Sequence, residues 1–390
     1  MFKIAVVGRG LIGSAAARHL TELVDGVVAI GPDEPTNRKT HNGVFGSHYD
    51  EGRMTRVVDP LIEWSVTAKR SISRYKDLEQ RSGISFFTPA GFLGIGSPGT
   101  DYNDKASMTG LAQGAMLSRL SAEDIRAQFP FLTVADDADG LLETGTAGHI
   151  SPRSMINAQT ELAETGGATL IRDAVKTIRP VPGGLEITTL GGALISAERA
   201  IVATGAFTKA WGLVPKNVNL RVYGRTIVLA RIDETMRASF KGMPTMIVCE
   251  TDAYILPPIR YPDGHHYLKM GCGSDKDAVL DTSGKLDTWF KGSGSEGDKR
   301  KLMSYMTSMF PVLNDCETWR TDTCAVTYTP SVLPTIDFVD EGKIVMAVGG
   351  CGKGAKGSDE WGRIAARTVL GLPWEHSFDR KNLMLPTTPS

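Results

Sequence analysis

A chain of 390 residues is longer than one hydrophobic core usually supports, since cores split beyond roughly 250–300 residues, so two domains are expected. Hydrophobic residues at 41% and charged residues at 22% describe an ordinary soluble globular protein. A net charge of -1 and a pI of about 6.7 lack the basic bias of a nucleic-acid binder.

Ile4 to Val7 form an unbroken apolar run, the pattern of a parallel strand buried on both faces. Gly8-Arg9-Gly10-Leu11-Ile12-Gly13 follows. Ser14 to Leu23 then places Ala15, Ala16, Ala17, Leu20 and Leu23 as in a helix packed on a sheet. Val27 to Ile30 is a second buried strand, ended by Gly31-Pro32. The pattern predicts helices over 60–83, Ala122 to Phe131 and Pro152 to Thr165. It predicts short strands over 84–95, strands over 184–203 and strand-like alternation over 221–272. Residues 282–301, polar and rich in Gly and Lys, read as a loop or helix start. Lys343 to Val348 is a late buried strand running into Gly349-Gly350-Cys351-Gly352-Lys353-Gly354, with a helix predicted from Asp359 to Leu370.

This late strand, glycine turn and helix mirror the opening unit, so the C-terminal segment is expected to return to the first domain. The expected architecture is α/β and α+β. A Rossmann-like dinucleotide-binding domain (1–85, 150–218 and 320–390) is interleaved with a substrate domain (86–149 and 219–319) built on a mixed, largely antiparallel sheet with helices.

Cys249, Cys272, Cys316, Cys324 and Cys351 contain no C-x-x-C pair, and their odd number suits a reducing compartment better than a disulfide framework. No zinc site or other metal is expected. No uncharged run approaches the ~20 residues of a membrane span. The N-terminal apolar run ends in the glycine loop rather than in a cleavage site. These features lead to the expectation of a cytoplasmic protein without membrane or nucleic-acid partners.

The glycine loop carries chemistry. Gly8 permits a tight turn, Gly10 lets the backbone approach a pyrophosphate, and Gly13 lets helix pack on strand, while the helix start offers free N–H groups to phosphate. Strand before and helix after make the motif specific for a dinucleotide. The acid that usually ends the second strand and binds ribose is replaced by Gly31, with Asp33 and Glu34 just beyond as candidates. This end of the chain leaves the choice between NAD and FAD open.

Cys324-Ala325-Val326-Thr327-Tyr328-Thr329-Pro330, followed by Ile336-Asp337, resembles the flavin-attachment segment of the sarcosine oxidase family. That family includes N-methyltryptophan and pipecolate oxidases, within the D-amino-acid-oxidase-like flavoproteins. The resemblance continues into the glycine run ending at Lys356, and is visible in Gly46-Ser47-His48-Tyr49-Asp50-Glu51-Gly52-Arg53-Met54-Thr55-Arg56. It spans nearly the whole chain in scattered blocks, specific for the family and not for one substrate.

The resemblance implies FAD joined through Cys324, the competing reading being a buried structural thiol. It implies a substrate carboxylate held by Arg56, whose planar fork suits that group, with Lys356 sharing the task and Lys353 as its competitor. It places Arg53 beside the flavin and makes Lys269 the oxygen-activating cation, with a strand-edge lysine as the alternative. Tyr254 matches a pocket tyrosine. Gly8, Gly10, Leu11, Ile12, Gly13, Asp33 and Ser47 join Gly350, Gly352, Lys353 and Gly354 as expected cofactor contacts. Val326 and Gly273 stand where sarcosine oxidases have a tyrosine and a histidine, so a larger, less polar pocket is expected.

The resulting expectation is an FAD-dependent oxidase of a secondary (N-substituted or cyclic) amino acid or related amine, with O2 as acceptor, acting as a monomer or weak homo-oligomer. The alternatives are a flavin dehydrogenase using another acceptor, a nicotinamide-dependent dehydrogenase, and a non-catalytic flavin-binding protein.

Overall fold

The computed structural model describes residues 1–98, 100–214, 218–274, 277–340 and 342–385. Strand β1 (Phe2–Val7), buried from Ile4 onward, leads through the glycine turn into α1 (Leu11–Thr21) and β2 (Val27–Ile30). The chain continues through β3 (Arg53–Thr55), α2 (Ile62–Ser82), β4 (Phe87–Thr88), β5 (Phe92–Gly96), α3 (Asp101–Ala112), β6 (Met116–Ser121), α4 (Ala122–Gln128), β7 (Asp139–Thr144) and β8 (Gly148–Ile150). Next come α5 (Pro152–Thr165), β9 (Thr169–Ile171), β10 (Val175–Val181), β11 (Gly184–Thr189), β12 (Leu194–Val202), α6 (Phe207–Ala210), β13 (Arg221–Ile232), α7 (Glu234–Ser239), β14 (Thr245–Val248), β15 (Ala253–Arg260) and β16 (His266–Gly271). The last stretch holds α8 (Ser283–Lys291), α9 (Glu296–Met309), β17 (Trp319–Tyr328), β18 (Thr335–Phe338), β19 (Ile344–Val348) and α10 (Gly354–Val369).

Two large sheets organise these elements. The first has a parallel centre, β9-β2-β1-β12-β19, because its strands are apolar on both faces and helices cover them. Strand β12 divides one edge between two partners: Leu194–Ala197 pairs with β11 and Ala200–Val202 with β19. The late strand thus lies two places from β1, as the mirrored sequence unit implied. The second sheet runs β17-β13-β16-β15-β14-β5-β7-β6 and is antiparallel except at β14 and β5. Strand β17, which the sequence reading assigned to the first domain from residue 320, pairs with β13 in this second sheet.

Helix α10 seals the first sheet. Its Gly362 lies so close to α1 that a Cβ would sit 2.6 Å from both the Ala15 Cβ and the Ala16 nitrogen, which explains the run of small residues in α1. Trp361 meets Trp64 of α2 edge to face at 5.3 Å, adding aromatic packing to the same core.

Two local expectations need correction. Helix α10 starts at Gly354, five residues before the expected Asp359. Gly357 lies inside the helix, where a Cβ would sit 2.7 Å from the Trp361 indole nitrogen, so packing demands glycine there. The polar stretch 282–301 holds α8 and the start of α9, capped by the Thr282 and Ser295 side chains. Helix α3 and strand β6 had no expectation, because their polar, largely exposed faces lack clear periodicity.

Candidate active site

A cavity of about 420 Å³ runs between the two sheets. The starts of α1 and α10 both end on it, and neither has a side-chain cap, so each leaves free N–H groups there. At the α1 end Gly8 holds φ +99°, and a Cβ there would lie 2.5 Å from the Ala203 carbonyl oxygen. Gly13 lies behind the loop, where a Cβ would meet the Gly8 carbonyl oxygen at 1.8 Å. Arg9 donates to the Gly31 carbonyl at 2.9 Å, while its buried Nε has no hydrogen-bond partner among the described residues. An uncapped helix start, a loop free of Cβ atoms and a spare buried donor fit a dinucleotide phosphate. His48 also lines this stretch, with Nδ1 3.5 Å from where a Gly10 Cβ would be. Burial, then Arg53, Arg153 and Arg9, push its pKa down to about 3, so it is a neutral imidazole at neutral pH.

The other end is built of charge. Arg56 follows β3 and packs its guanidinium over the Phe92 ring at 4.5 Å. It donates to the Tyr102 hydroxyl at 2.9 Å, and its buried Nε has no hydrogen-bond partner among the described residues. The fully buried Asp59 carboxylate takes Lys356 Nζ at 2.7 Å and Lys353 Nζ at 3.3 Å, with Arg56 at 3.9 Å. Burial raises the Asp59 pKa, but Lys356, Lys353 and Arg56 outweigh it and hold the carboxyl well below its usual range. Burial pushes Lys356 down to about 7, with Asp59 opposing the shift. Three cations around Asp59 outnumber the two carboxyls that act on them, Asp59 itself and the buried Glu143, and leave net positive charge beside the cavity.

Strand register assembles the wall between the two ends. Arg225 of β13 lies opposite Cys324 of β17, and Tyr254 of β15 lies opposite Gly271 of β16, which in turn faces Ile227. Residues directly opposite share a face, and alternate residues share it too. Arg225, Cys324, Val326 and Tyr254 therefore project together and line the cavity. A Cβ on Gly271 would lie 2.4 Å from the Tyr254 hydroxyl, so glycine is what admits that ring.

Of the residues expected from the sequence, Gly8, Gly10, Leu11, Ile12, Ser47, Arg53, Arg56, Tyr254, Cys324, Gly350, Gly352, Lys353, Gly354 and Lys356 line this one cavity. Ser47 also bonds both backbone polar groups of Ala325, at 2.9 and 3.0 Å, which ties its loop to β17 beside Cys324. Gly13, Asp33 and Lys269 do not line it. Asp33 is half exposed and pairs with Arg9 and Arg172. Lys269 is 1% exposed; its Nζ contacts Asp50 and donates to the Gly52 carbonyl at 2.9 Å. Burial and the Arg53 guanidinium drive its pKa well below the ordinary lysine value, against the opposing pull of Cys324 and Asp322.

The less polar pocket expected from Val326 and Gly273 is not what forms. The space above Gly273 is taken by Arg225, whose NH1 would lie 2.3 Å from a Cβ there. Arg225, His48, Tyr102 and Asp59 escaped the sequence reading because each becomes part of the site only through long-range register or packing.

Residues 3–368 match the family described as FAD dependent oxidoreductase. The chain is 26% identical to a monomeric sarcosine oxidase of Streptomyces avermitilis over 53% of its own length and 52% of that protein's. It is also 26% identical to an N-methyl-L-tryptophan oxidase of Escherichia coli, over 53% of its length and 55% of that protein's. It thus spans about half the length of these curated relatives. The structure of NikD, an unusual amino acid oxidase essential for nikkomycin biosynthesis, superposes with a TM-score of 0.74 at 20% identity, covering 98% of this chain and 97% of that one.

Proposed function

The chain belongs to the FAD-dependent oxidoreductase family, and from that premise we propose that it is an oxidase of a secondary (N-substituted or cyclic) amino acid or related amine. The observation that carries this reading is the net-positive Arg56–Lys353–Lys356 group around Asp59, on the same cavity as the glycine loop. A carboxylate meets there a planar guanidinium with a spare Nε and two ammonium groups.

Gly8, Gly10, Leu11 and Ile12 would hold the pyrophosphate, with Arg53 and the Gly350–Gly354 loop along the rest of the cofactor. The chemistry that FAD supplies when bound is two-electron oxidation of the substrate C–N bond to an imine, which water hydrolyses, with O2 as final acceptor and H2O2 as its product. Arg56 and Lys356 fix the carboxylate and thereby orient the carbon next to nitrogen. Burial keeps the Tyr254 phenol protonated by raising its pKa, so it serves as a donor and a wall. Lys269 is the proposed cation on the oxygen side, acting from behind the wall through its place beside Asp50 and Arg53. Cys324, which lines the cavity and is 8% exposed, is the proposed attachment point of the flavin.

The test is a visible spectrum of the purified protein, acid precipitation, and oxygen uptake with a panel of secondary amino acids. A yellow pellet with flavin on the Cys324 peptide and oxygen uptake on the panel are expected. A yellow supernatant would remove the attachment role of Cys324. Dye reduction without oxygen uptake would replace the oxidase reading by a dehydrogenase. A protein that stays colourless after FAD addition would overturn the proposal.

A further inference from the structure

The segment Arg56-Val57-Val58-Asp59, which carries two members of the charge cluster, follows β3 and belongs to no helix or strand. Its backbone polar groups therefore need partners from elsewhere. Glu143 of β7, whose side chain is fully buried, supplies them. One oxygen, Oε1, accepts from the Val57 N–H at 2.9 Å. The other, Oε2, accepts from the Val58 N–H at 2.9 Å and from the Val57 N–H at 3.1 Å. Thr109 of α3 donates to the Asp59 carbonyl and closes the far end of the segment.

Strand register brings this glutamate to Arg56. Glu143 lies directly opposite Phe92 of β5, so the two side chains share one face of the second sheet. The Phe92 ring packs under the Arg56 guanidinium at 4.5 Å. A single cross-strand pair thus holds Arg56 by its head and by the two amides that follow it. Both Glu143 oxygens accept, as an ionised carboxylate does. Burial raises its pKa, while the Val58 and Val57 amides, then Arg56 and Lys356, pull it down. The carboxylate is spent on backbone amides, and the guanidinium donates to the Tyr102 hydroxyl and the Met54 sulfur instead.

We propose that Glu143 is a positioning residue: with Phe92 it fixes the segment 56–59 and so sets the direction in which Arg56 meets the substrate carboxylate. This rests on the proposed function, in which Arg56 binds that carboxylate. Glu143 does not line the cavity, so it acts through Arg56 rather than on the substrate. A glutamine in its place keeps the volume but has one acceptor oxygen, and its NH2 group would face a backbone N–H. The segment must shift to relieve that clash. A planar fork loses its match to a carboxylate when its direction changes.

The experiment measures binding of glutarate and of its diamide, glutaramide, to the FAD-loaded protein through the change in flavin absorbance, for wild type, E143Q, F92L and R56A. Flavin content and thermal midpoint are recorded for each. Wild type is expected to prefer glutarate. E143Q should weaken glutarate binding about tenfold, the scale of one unsatisfied buried donor, and leave glutaramide within about twofold. Removing a negative charge near Arg56 would by itself tighten glutarate binding, so weakening isolates the geometric role. F92L should lower the same preference, which keeps the inference testable where E143Q does not fold. A merely structural role lowers the thermal midpoint or flavin content and leaves the glutarate preference of the loaded protein unchanged. That result in E143Q, or in F92L where E143Q does not load FAD, would overturn the inference, as would tighter glutarate binding by E143Q. Failure of the underlying reading has a different signature: R56A would then bind glutarate as wild type does.

Discussion

Helix α10 carries two buried charge clusters three residues apart, and they differ in what is left over. Toward the cavity, Lys356 joins Lys353 and Arg56 around Asp59, with excess positive charge and a spare Arg56 Nε. Toward α1 and α2, the Asp359 carboxylate accepts from Arg18 and Gln159, each at 2.8 Å, and from Arg74 at 2.5 Å. Its neighbour Glu360 takes Arg74, Arg363 and His376. Burial raises both pKa values, but the His and Arg partners outweigh it, leaving Asp359 well below its usual range and Glu360 at about 2. Burial of charge alone therefore does not mark a site. A carboxylate with each oxygen matched holds four helices together, whereas cations with unused donors facing a cavity await a ligand.

The largest expected effect breaks the second cluster. Asp359→Asn leaves Arg18 and Arg74 facing a neutral group and should cost about 3–5 kcal/mol of stability, read by denaturant unfolding. The pH dependence has a definite sign. Carboxyls whose folded pKa lies below the unfolded value of about 4 stabilise above that pH, and the contribution is lost as pH falls toward 2. Wild type should therefore lose more stability than Asp359→Asn between about pH 4 and pH 2. Parallel curves would show that this cluster is not a structural clamp. Next in size is Arg56→Ala, which should weaken carboxylate binding about a hundredfold. Asp59 keeps Lys353 and Lys356, so the loss of stability should be smaller than in Asp359→Asn. An unchanged KM for carboxylate substrates would remove Arg56 from the site.

The contrast also separates what the sequence reveals from what it hides. The strand, glycine loop and helix at 4–23 are legible because backbone geometry dictates residue type locally: no side chain fits at Gly8 or Gly13. Cys324, Arg56 and Lys356 were legible through the motif blocks around them. Asp59 and Arg225 were not, since neither sits in a local pattern that names its partners. Asp59 meets Lys356 across 297 residues, and Arg225 meets Tyr328 across 103. Gly273 shows how this misleads: a lost side chain predicts empty space, and a residue 48 positions earlier fills it. Lys269 shows the converse, because its block matched while Asp50, 219 residues away, draws its charge off the cavity.

The smallest predicted effect sharpens the cavity cluster itself. With its pKa near 7, Lys356 is half protonated at neutral pH, and only the protonated form attracts a carboxylate. Amino-acid substrates obscure this, because their own amine titrates in the opposite sense. Glutarate has no amine, so its dissociation constant reports the protein alone. In wild type that constant should rise as pH increases from 6 to 9, by up to about tenfold, because an ammonium beside Arg56 is lost. Lys356→Arg keeps its charge throughout this range, so its constant should stay level. A level profile in wild type would mean that Asp59 holds Lys356 protonated despite burial, and the cluster would then be a fixed charge like the one at Asp359.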